Sequence, residues 1–377
     1  MKKLAIIGAS YLQAPLITKA KELGYETHVF AWKTGDIGET IADKFYPISI
    51  VEKERILEEC EKIRPDGICT IASDLATVAV NYVATYMGLP GNSMETMKKS
   101  TDKWKMREAF FENGDPSPRS MCVASYAECQ GTEFTYPVIV KPIDRSGSRG
   151  VTKVDYKEQL EDAINVALDC GFEKKVVVEE YVEGNEYSVE CITYNGNHNL
   201  LAITRKYTTE APNFIEIAHL EPAPLSQDIT DKIRSIVFHA LDSLEISNSA
   251  SHTEIKIDLN CNIRIIEIGA RMGGDCIGSD LVKLSTGIDF VKAVIDVAVG
   301  IEPELNKTKN RYAMIRYIMC SNDINVLEEV KSQYASHMVA YSLAREMKNK
   351  ITDSSNRYGY FILSDETGEL LKYLPEQ

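Results

Sequence analysis

The chain has 377 residues, 44% of them hydrophobic and 26% charged, which is the composition of a soluble globular protein long enough for two or three domains with sizeable cores. Its 42 basic and 56 acidic residues leave a net charge of −14, which argues against nonspecific binding to nucleic acid or anionic lipid, so any bound phosphate must be met by local positive charge. No apolar stretch approaches the roughly 20 residues of a membrane span. The nine cysteines are scattered, with no Cys-x-x-Cys pair and no His in metal-ligand spacing, a pattern that fits reduced thiols in a cytoplasm.

The opening MKKLAIIGAS is apolar only as far as Gly8 and lacks a cleavage site, so it reads as a first strand rather than a signal peptide. A strand over 4–7, an amphipathic helix over 14–23 and a strand over 26–31 make a βαβ start. A helix over 53–62, a strand over 67–71 and a helix after Asp74 continue the alternation of a parallel, Rossmann-like α/β sheet. Leu89-Pro90-Gly91 ends it, which places a domain boundary near Ser93 and a first domain over 1–93. The first βα turn, GASYLQAP, has one glycine where a dinucleotide fingerprint needs three, and no acid closes the second strand, so NAD binding is not expected there. Ser73-Asp74, at the end of the strand over 67–71, sits either where α/β sheets bind ligands or as a helix N-cap.

A helix over 101–113 follows, stopped by Gly114 and Pro116. Strand-like segments then dominate, at 138–141, 152–154, 176–180, 187–194 and 200–204, with a helix over 157–169, which is the pattern of a separate α+β domain. Residues 253–259 alternate, Asn260-Cys261-Asn262 supplies turn chemistry and 263–268 is again β-rich, so Glu254 and Glu267 face one another across a hairpin. Two carboxylates so placed suit Mg²⁺, which takes one or two of them together with substrate phosphates. After Thr286-Gly287-Ile288 a helix runs to Val299, and from Arg311 a small β-rich tail carries no catalytic-looking cluster.

Other residues carry related chemistry. Lys103, in STDKWKMREAF, and Lys141, inside the apolar VIVKP, are placed as point charges for phosphate oxygens, and burying the second without an anionic partner would be costly. Five residues on, Ser146, Gly147, Ser148, Arg149 and Gly150 form a loop able to close over a triphosphate as a lid. Glu179, Glu180, Tyr181 and Val182 lead into a connector that can present main-chain groups to an adenine edge, with Glu186 within reach of ribose hydroxyls.

Taken together, the stretch from Thr101 to Asp275 resembles the ATP-grasp superfamily. The resemblance implies ATP as cosubstrate with Mg²⁺, Mn²⁺ being an alternative, and an order of a 1–93 pre-ATP-grasp domain, a 94–300 ATP-grasp domain of two α+β subdomains with its lid at about 120–184, and a small 301–377 C-terminal α+β region. On that resemblance Lys103 and Lys141 are the phosphate-contacting lysines, 146–150 the flexible loop, 179–182 the adenine hinge, Glu186 the ribose ligand and Glu254 with Glu267 the metal ligands. Arg271 faces the γ-phosphate and an acyl phosphate. Many members carry Asn two residues after the second glutamate; Gly269 stands there instead and has no side-chain oxygen.

The run EIGARMGGDCIGSDLVKLSTGID and the segment Ser251 to Glu254 are similar to the branch of L-amino acid ligases and carbamoyl-phosphate-synthase-like proteins. This implies a carboxylate–amine ligase acting on small molecules, with a bicarbonate-activating enzyme and a non-catalytic ATP-binding module as alternatives, and a homodimer as the default assembly. His219 and His252 are candidates for the acceptor pocket or for taking a proton from an incoming ammonium, against a role as satisfied structural histidines. Lys206, in ITRKY, is a candidate phosphate or carboxylate contact, against an ordinary surface lysine at a strand end.

Overall fold

The structure is a computed structural model and describes residues 2–209, 214–344, 351 and 353–375. Four parallel strands open the chain, β1 (Lys3–Ile7), β2 (Glu26–Phe30), β3 (Lys44–Tyr46) and β4 (Gly67–Cys69), in the order β3-β2-β1-β4. Leu4, Ala5, Ile6 and Ile7 are all fully buried because helices cover both faces of a parallel sheet, which is why β1 is continuously apolar rather than alternating. β4 stops two residues short of the expected 71. Ser73 caps the helix Asp74–Met87, its Oγ accepting from the Ala76 amide at 3.3 Å, and Gly88 ends that helix in a left-handed conformation.

The helix expected over 101–113 runs from Lys103 to Asn113, and a further helix, Met94–Thr101, precedes it. Asp102 ends the first and caps the second, its Oδ1 accepting from the Trp104 and Lys105 amides at 2.8 and 3.1 Å. This break makes Lys103 the first residue of a helix and turns its side chain inward, leaving it 7% exposed.

β5 (Ser120–Val123), β6 (Val138–Pro142), β7 (Thr152–Val154) and β8 (Val176–Glu180) form an antiparallel sheet in the order β5-β8-β6-β7, covered by the helix Leu160–Cys170. The largest sheet has eight strands: β9 (Asn185–Tyr194), β10 (Asn197–Thr208), β11 (Glu216–Glu221), β12 (Ser249–Ile257), β13 (Ile263–Gly269), β14 (Tyr312–Tyr317), β15 (Met338–Leu343) and β16 (Gly359–Asp365). Their order is β13-β12-β9-β10-β11-β14-β16-β15, all antiparallel. The tail strands therefore extend the central sheet through the β11–β14 pairing rather than making a sheet of their own.

The helix Phe290–Ala298 packs its apolar side into the core of the first domain, and a Cβ on Gly67 would lie 2.4 Å from the Ala298 carbonyl oxygen. That close approach locks the N-terminal sheet to the central domain and sets the C-terminal end of β4 against the turn after β13. Among the described residues no helix is long and apolar enough to cross a membrane.

Candidate functional site

A cleft of about 420 Å³ lies between the β5-β8-β6-β7 sheet and the large sheet, closed at one side by Ala72 and Asp74 beyond the end of β4. Its floor is the β12–β13 hairpin, where Glu254 stands directly opposite Glu267, with a bulge immediately after Glu254. Each glutamate is tethered by one buried lysine. Lys103 Nζ donates to Glu267 Oε1 at 2.8 Å and to the Arg145 carbonyl at 2.7 Å. Lys206 Nζ donates to Glu254 Oε1 at 2.7 Å and lies 2.8 Å from Glu186 Oε1 and 3.8 Å from Glu216 Oε1.

Lys206 is therefore no surface lysine. It is 4% exposed, and although burial disfavours its charge, Glu186, Glu254 and Glu216 hold its pKa well above the usual lysine value. It bridges the acid expected at the ribose to an acid expected at the metal.

Among the described residues no group of three or more His, Cys, Asp or Glu side chains could close around a metal. Two carboxylates with lysine hydrogen bonds on Oε1 alone suit Mg²⁺, a cation that keeps waters and takes phosphate oxygens as further ligands rather than requiring an all-protein cage.

Lys141, near the end of β6, forms an ion pair with Glu179, both side chains being almost fully buried. Arg107, one turn after Lys103 on the same helix, places Nε 3.1 Å from Glu179 Oε2, and Ser120 Oγ donates to that oxygen at 3.2 Å. Burial alone would raise the Glu179 pKa, but Arg107 and Lys141 bring it down to about 2. Burial and Arg107 in turn lower that of Lys141 against the pull of Glu179.

Glu179 thus does not belong to a hinge: it is inside β8, hydrogen-bonded to strands on both sides, and its carboxylate anchors Lys141. Glu180 also lies in β8, its amide bonded to the Arg119 carbonyl at 2.9 Å, so the connector proper begins at Tyr181. There the Lys256 ammonium donates to the Val182 carbonyl at 3.2 Å and sits 5.0 Å over the Tyr181 ring. Ser146, Gly147, Ser148 and Arg149 are exposed in a turn at the cleft mouth, with Gly150 partly covered.

His252 pairs through Nδ1 with Glu190 and has Nε2 3.6 Å from Glu254. Burial works against its charge, but Glu190 and Glu254 raise its pKa to about 9, so it is an imidazolium near neutral pH and is not free to accept a proton. His219 is the opposite case and is not a satisfied structural histidine. It is fully buried and neither ring nitrogen has a hydrogen-bond partner among the described residues.

Arg271 makes a two-point contact with Asp74, Nε to Oδ1 at 2.9 Å and Nη2 to Oδ2 at 3.1 Å. Ser73 is the N-cap and Asp74 the first residue of its helix, yet the Asp74 carboxylate also enters the cleft. Gly269 belongs to the same arrangement: a Cβ there would lie 2.6 Å from Asp74 Oδ1 and 3.2 Å from Arg271 Nε. A carboxylate from the N-terminal domain thus fills the space where a side chain at 269 would project.

Several cleft residues escaped the sequence reading. Arg107 carried a signal, being four residues from Lys103 and so on the same helical face. Glu190, Glu216 and Asp275 were not singled out, being isolated acids whose hydrogen-bond partners lie far along the chain. Arg357, which donates to both oxygens of Asp275 at 3.0 and 2.8 Å, comes from the tail that carried no catalytic-looking cluster.

Comparison with known proteins accords with this geometry. Residues 134–280 match the family described as ATP-grasp domain. The chain is 28% identical over 268 residues to an alanine–anticapsin ligase of Bacillus subtilis (strain 168), an alignment covering 65% of this chain and 56% of that protein. A Bacillus amyloliquefaciens protein of the same name is 28% identical over 312 residues, covering 73% of this chain and 65% of the relative, so the chain spans less than two thirds of the length of either relative. Among solved structures, an L-amino acid ligase from Bacillus licheniformis superposes with a TM-score of 0.83 at 24% identity, covering 99% of this chain and 95% of that one. Phosphoribosylglycinamide synthetase from Anaerococcus prevotii gives 0.78 at 22%, covering 99% and 96%. The match to the ATP-grasp domain covers residues 134–280, and the fold is shared with these two solved structures over 99% of the chain.

Proposed function

We propose that this protein is an ATP- and Mg²⁺-dependent carboxylate–amine ligase: it phosphorylates a small-molecule carboxylate at the expense of ATP, couples the acyl phosphate to an amine, and releases ADP and phosphate. The observation that carries the reading is the pairing of Glu254 with Glu267, each tethered by a buried lysine, with Arg271 beyond the end of the same hairpin. The names of the relatives support it, since alanine–anticapsin ligase and L-amino acid ligase are both ligases.

In this reading Lys103 and Lys141 meet the ATP phosphates, the turn at 146–150 closes over them, Tyr181 and Val182 present main-chain groups to adenine, and Glu186 takes the ribose. Glu254 and Glu267 hold Mg²⁺ (Mn²⁺ in its absence), whose chemistry is to neutralise charge on the transferred phosphoryl group. Arg271 orients the carboxylate and bears the charge of the acyl phosphate. Asp74 holds Arg271 extended across the cleft until an anion competes for it. No side-chain nucleophile is needed, because positioning and charge stabilisation supply the rate.

The test is ADP release from purified protein with a panel of carboxylates and amines. Release that requires one member of each class supports the reading. ATP binding without amine-dependent release for any pair would overturn it, and release driven by bicarbonate alone would reassign the activated acid.

A further inference from the structure

The cleft has a second polar end, away from the paired glutamates. β11 brings Glu216 and His219, the turn after β13 brings Asp275, and Arg357, from the loop before β16, holds Asp275 by both oxygens. The arrangement is rigid. Arg357 stacks 3.5 Å over the Tyr317 ring while donating to both Asp275 oxygens, and the Tyr317 hydroxyl donates to the Asp275 carbonyl at 3.0 Å. Asp275 and Cys276 both hold left-handed φ values, +51° and +62°, a conformation that costs free energy in non-glycine residues and persists where surrounding contacts enforce it.

Among the described residues the charges at this end do not balance. Two carboxylates, Glu216 and Asp275, face one guanidinium. Lys206 cannot supply the difference, because Glu186 and Glu254 already engage it at hydrogen-bond distance while Glu216 is 3.8 Å away. His219 lies with Nε2 3.8 Å from Asp275 Oδ2, beyond hydrogen-bond reach, edge-on to Tyr317, and burial holds it in the neutral form. A fully buried imidazole with two unpartnered nitrogens on the cleft wall is costly unless a ligand completes it. One surplus negative charge beside an unused nitrogen acceptor repels a carboxylate and fits an ammonium.

We propose that this end of the cleft is the subsite for the substrate amine, which binds as a monocation with Glu216 and Asp275 as its anchors and His219 as a further acceptor. The proposal rests on the ligase reading for what the bound amine then does. The ammonium gives one proton to solvent, His219 remaining a neutral hydrogen-bond acceptor for the amine. The freed lone pair forms the C–N bond as the acyl carbon's bond to the phosphate oxygen breaks, with phosphate leaving on that electron pair and taking the second amine proton. Arg357 and Tyr317 are positioning residues that fix Asp275.

The experiment is calorimetric titration of the full chain, loaded with Mg²⁺ and a non-hydrolysable ATP analogue, with L-alaninamide, L-leucinamide and L-phenylalaninamide, against the corresponding N-acetyl amino acids. At least one amide is expected to bind and the N-acetyl acids to bind more weakly. Glu216→Gln and Asp275→Asn should each weaken amide binding about tenfold while leaving affinity for the ATP analogue within about twofold. Glu216→Gln keeps the shape of the side chain and the Ser354 hydrogen bond, so it decides the matter if Asp275→Asn fails to fold. Absence of amide binding, equal binding of the acids, or unchanged amide affinity in Glu216→Gln would each overturn the subsite. Amine-dependent ADP release measured alongside separates the two readings: its presence with no effect of either variant sinks the subsite alone, whereas variant-sensitive amide binding without it sinks the ligase reading alone.

Discussion

The two ends of the cleft are built differently. At the glutamate end, the two acids come from one hairpin, and Glu254, Glu267 and Lys141 are each met by a partner of opposite sign within hydrogen-bond distance. At the far end, Glu216 and His219 from the central sheet and Asp275 from the turn after β13 converge, with Arg357 of the tail holding Asp275, and among the described residues one carboxylate has no cation of its own and the imidazole no hydrogen-bond partner. The first end suits a reaction component common to many enzymes; the second is the proposed amine subsite. Surplus polar groups mark the end that is completed only by its ligand.

Breaking the glutamate end should have the largest effect. Glu267→Gln removes a carboxylate charge while keeping the side-chain shape, and should cut ADP formation by about 10³-fold, because one preorganised charge at the reacting centre is worth that much; steady-state assays with a circular-dichroism check of folding decide it. Lys206→Ala should act on stability instead. It leaves the partly buried Glu186 and Glu254 without their shared cation, at a cost of about 1–3 kcal/mol, read by urea denaturation in metal-free buffer. If Glu254 is a metal ligand, added Mg²⁺ should recover part of that loss in Lys206→Ala and do less for the parent.

Gly269→Ala probes the join between the two ends. Its Cβ intrudes on Asp74 Oδ1, so Arg271 and Asp74 must separate, at about 1–3 kcal/mol. Adding Asp74→Ala should relieve most of the clash, and a thermal melt in which the double variant is no better than Gly269→Ala would refute the account of why glycine stands there.

How much was legible in the sequence follows the same division. The Glu254–Glu267 pairing was readable because strand alternation and a three-residue turn fix the register locally, and Lys141 was readable because a lysine inside an apolar strand demands an anion. The break at Asp102 was missed, since one residue serves as the end of one helix and the cap of the next and helical periodicity does not register it. Lys206 was misread as an ordinary surface lysine because alternation tells which side a residue faces but not what stands across from it: its partners are Glu186 on β9 and Glu254 on β12. Gly269 was visible as a departure, yet its reason, Asp74, lies 195 positions earlier in the chain (269 − 74). Arg357 left no trace, being a single arginine in irregular backbone, 82 positions from the acid it holds.

The most direct test of the central claim is isotopic. A substrate carboxylate labelled with ¹⁸O, turned over with ATP, Mg²⁺ and its amine partner, should deliver one ¹⁸O to the inorganic phosphate released, because the acyl phosphate places a carboxylate oxygen on phosphorus before the amine displaces it. Amine-dependent ADP formation with all the label remaining in the carboxylate and amide product would contradict activation by phosphoryl transfer.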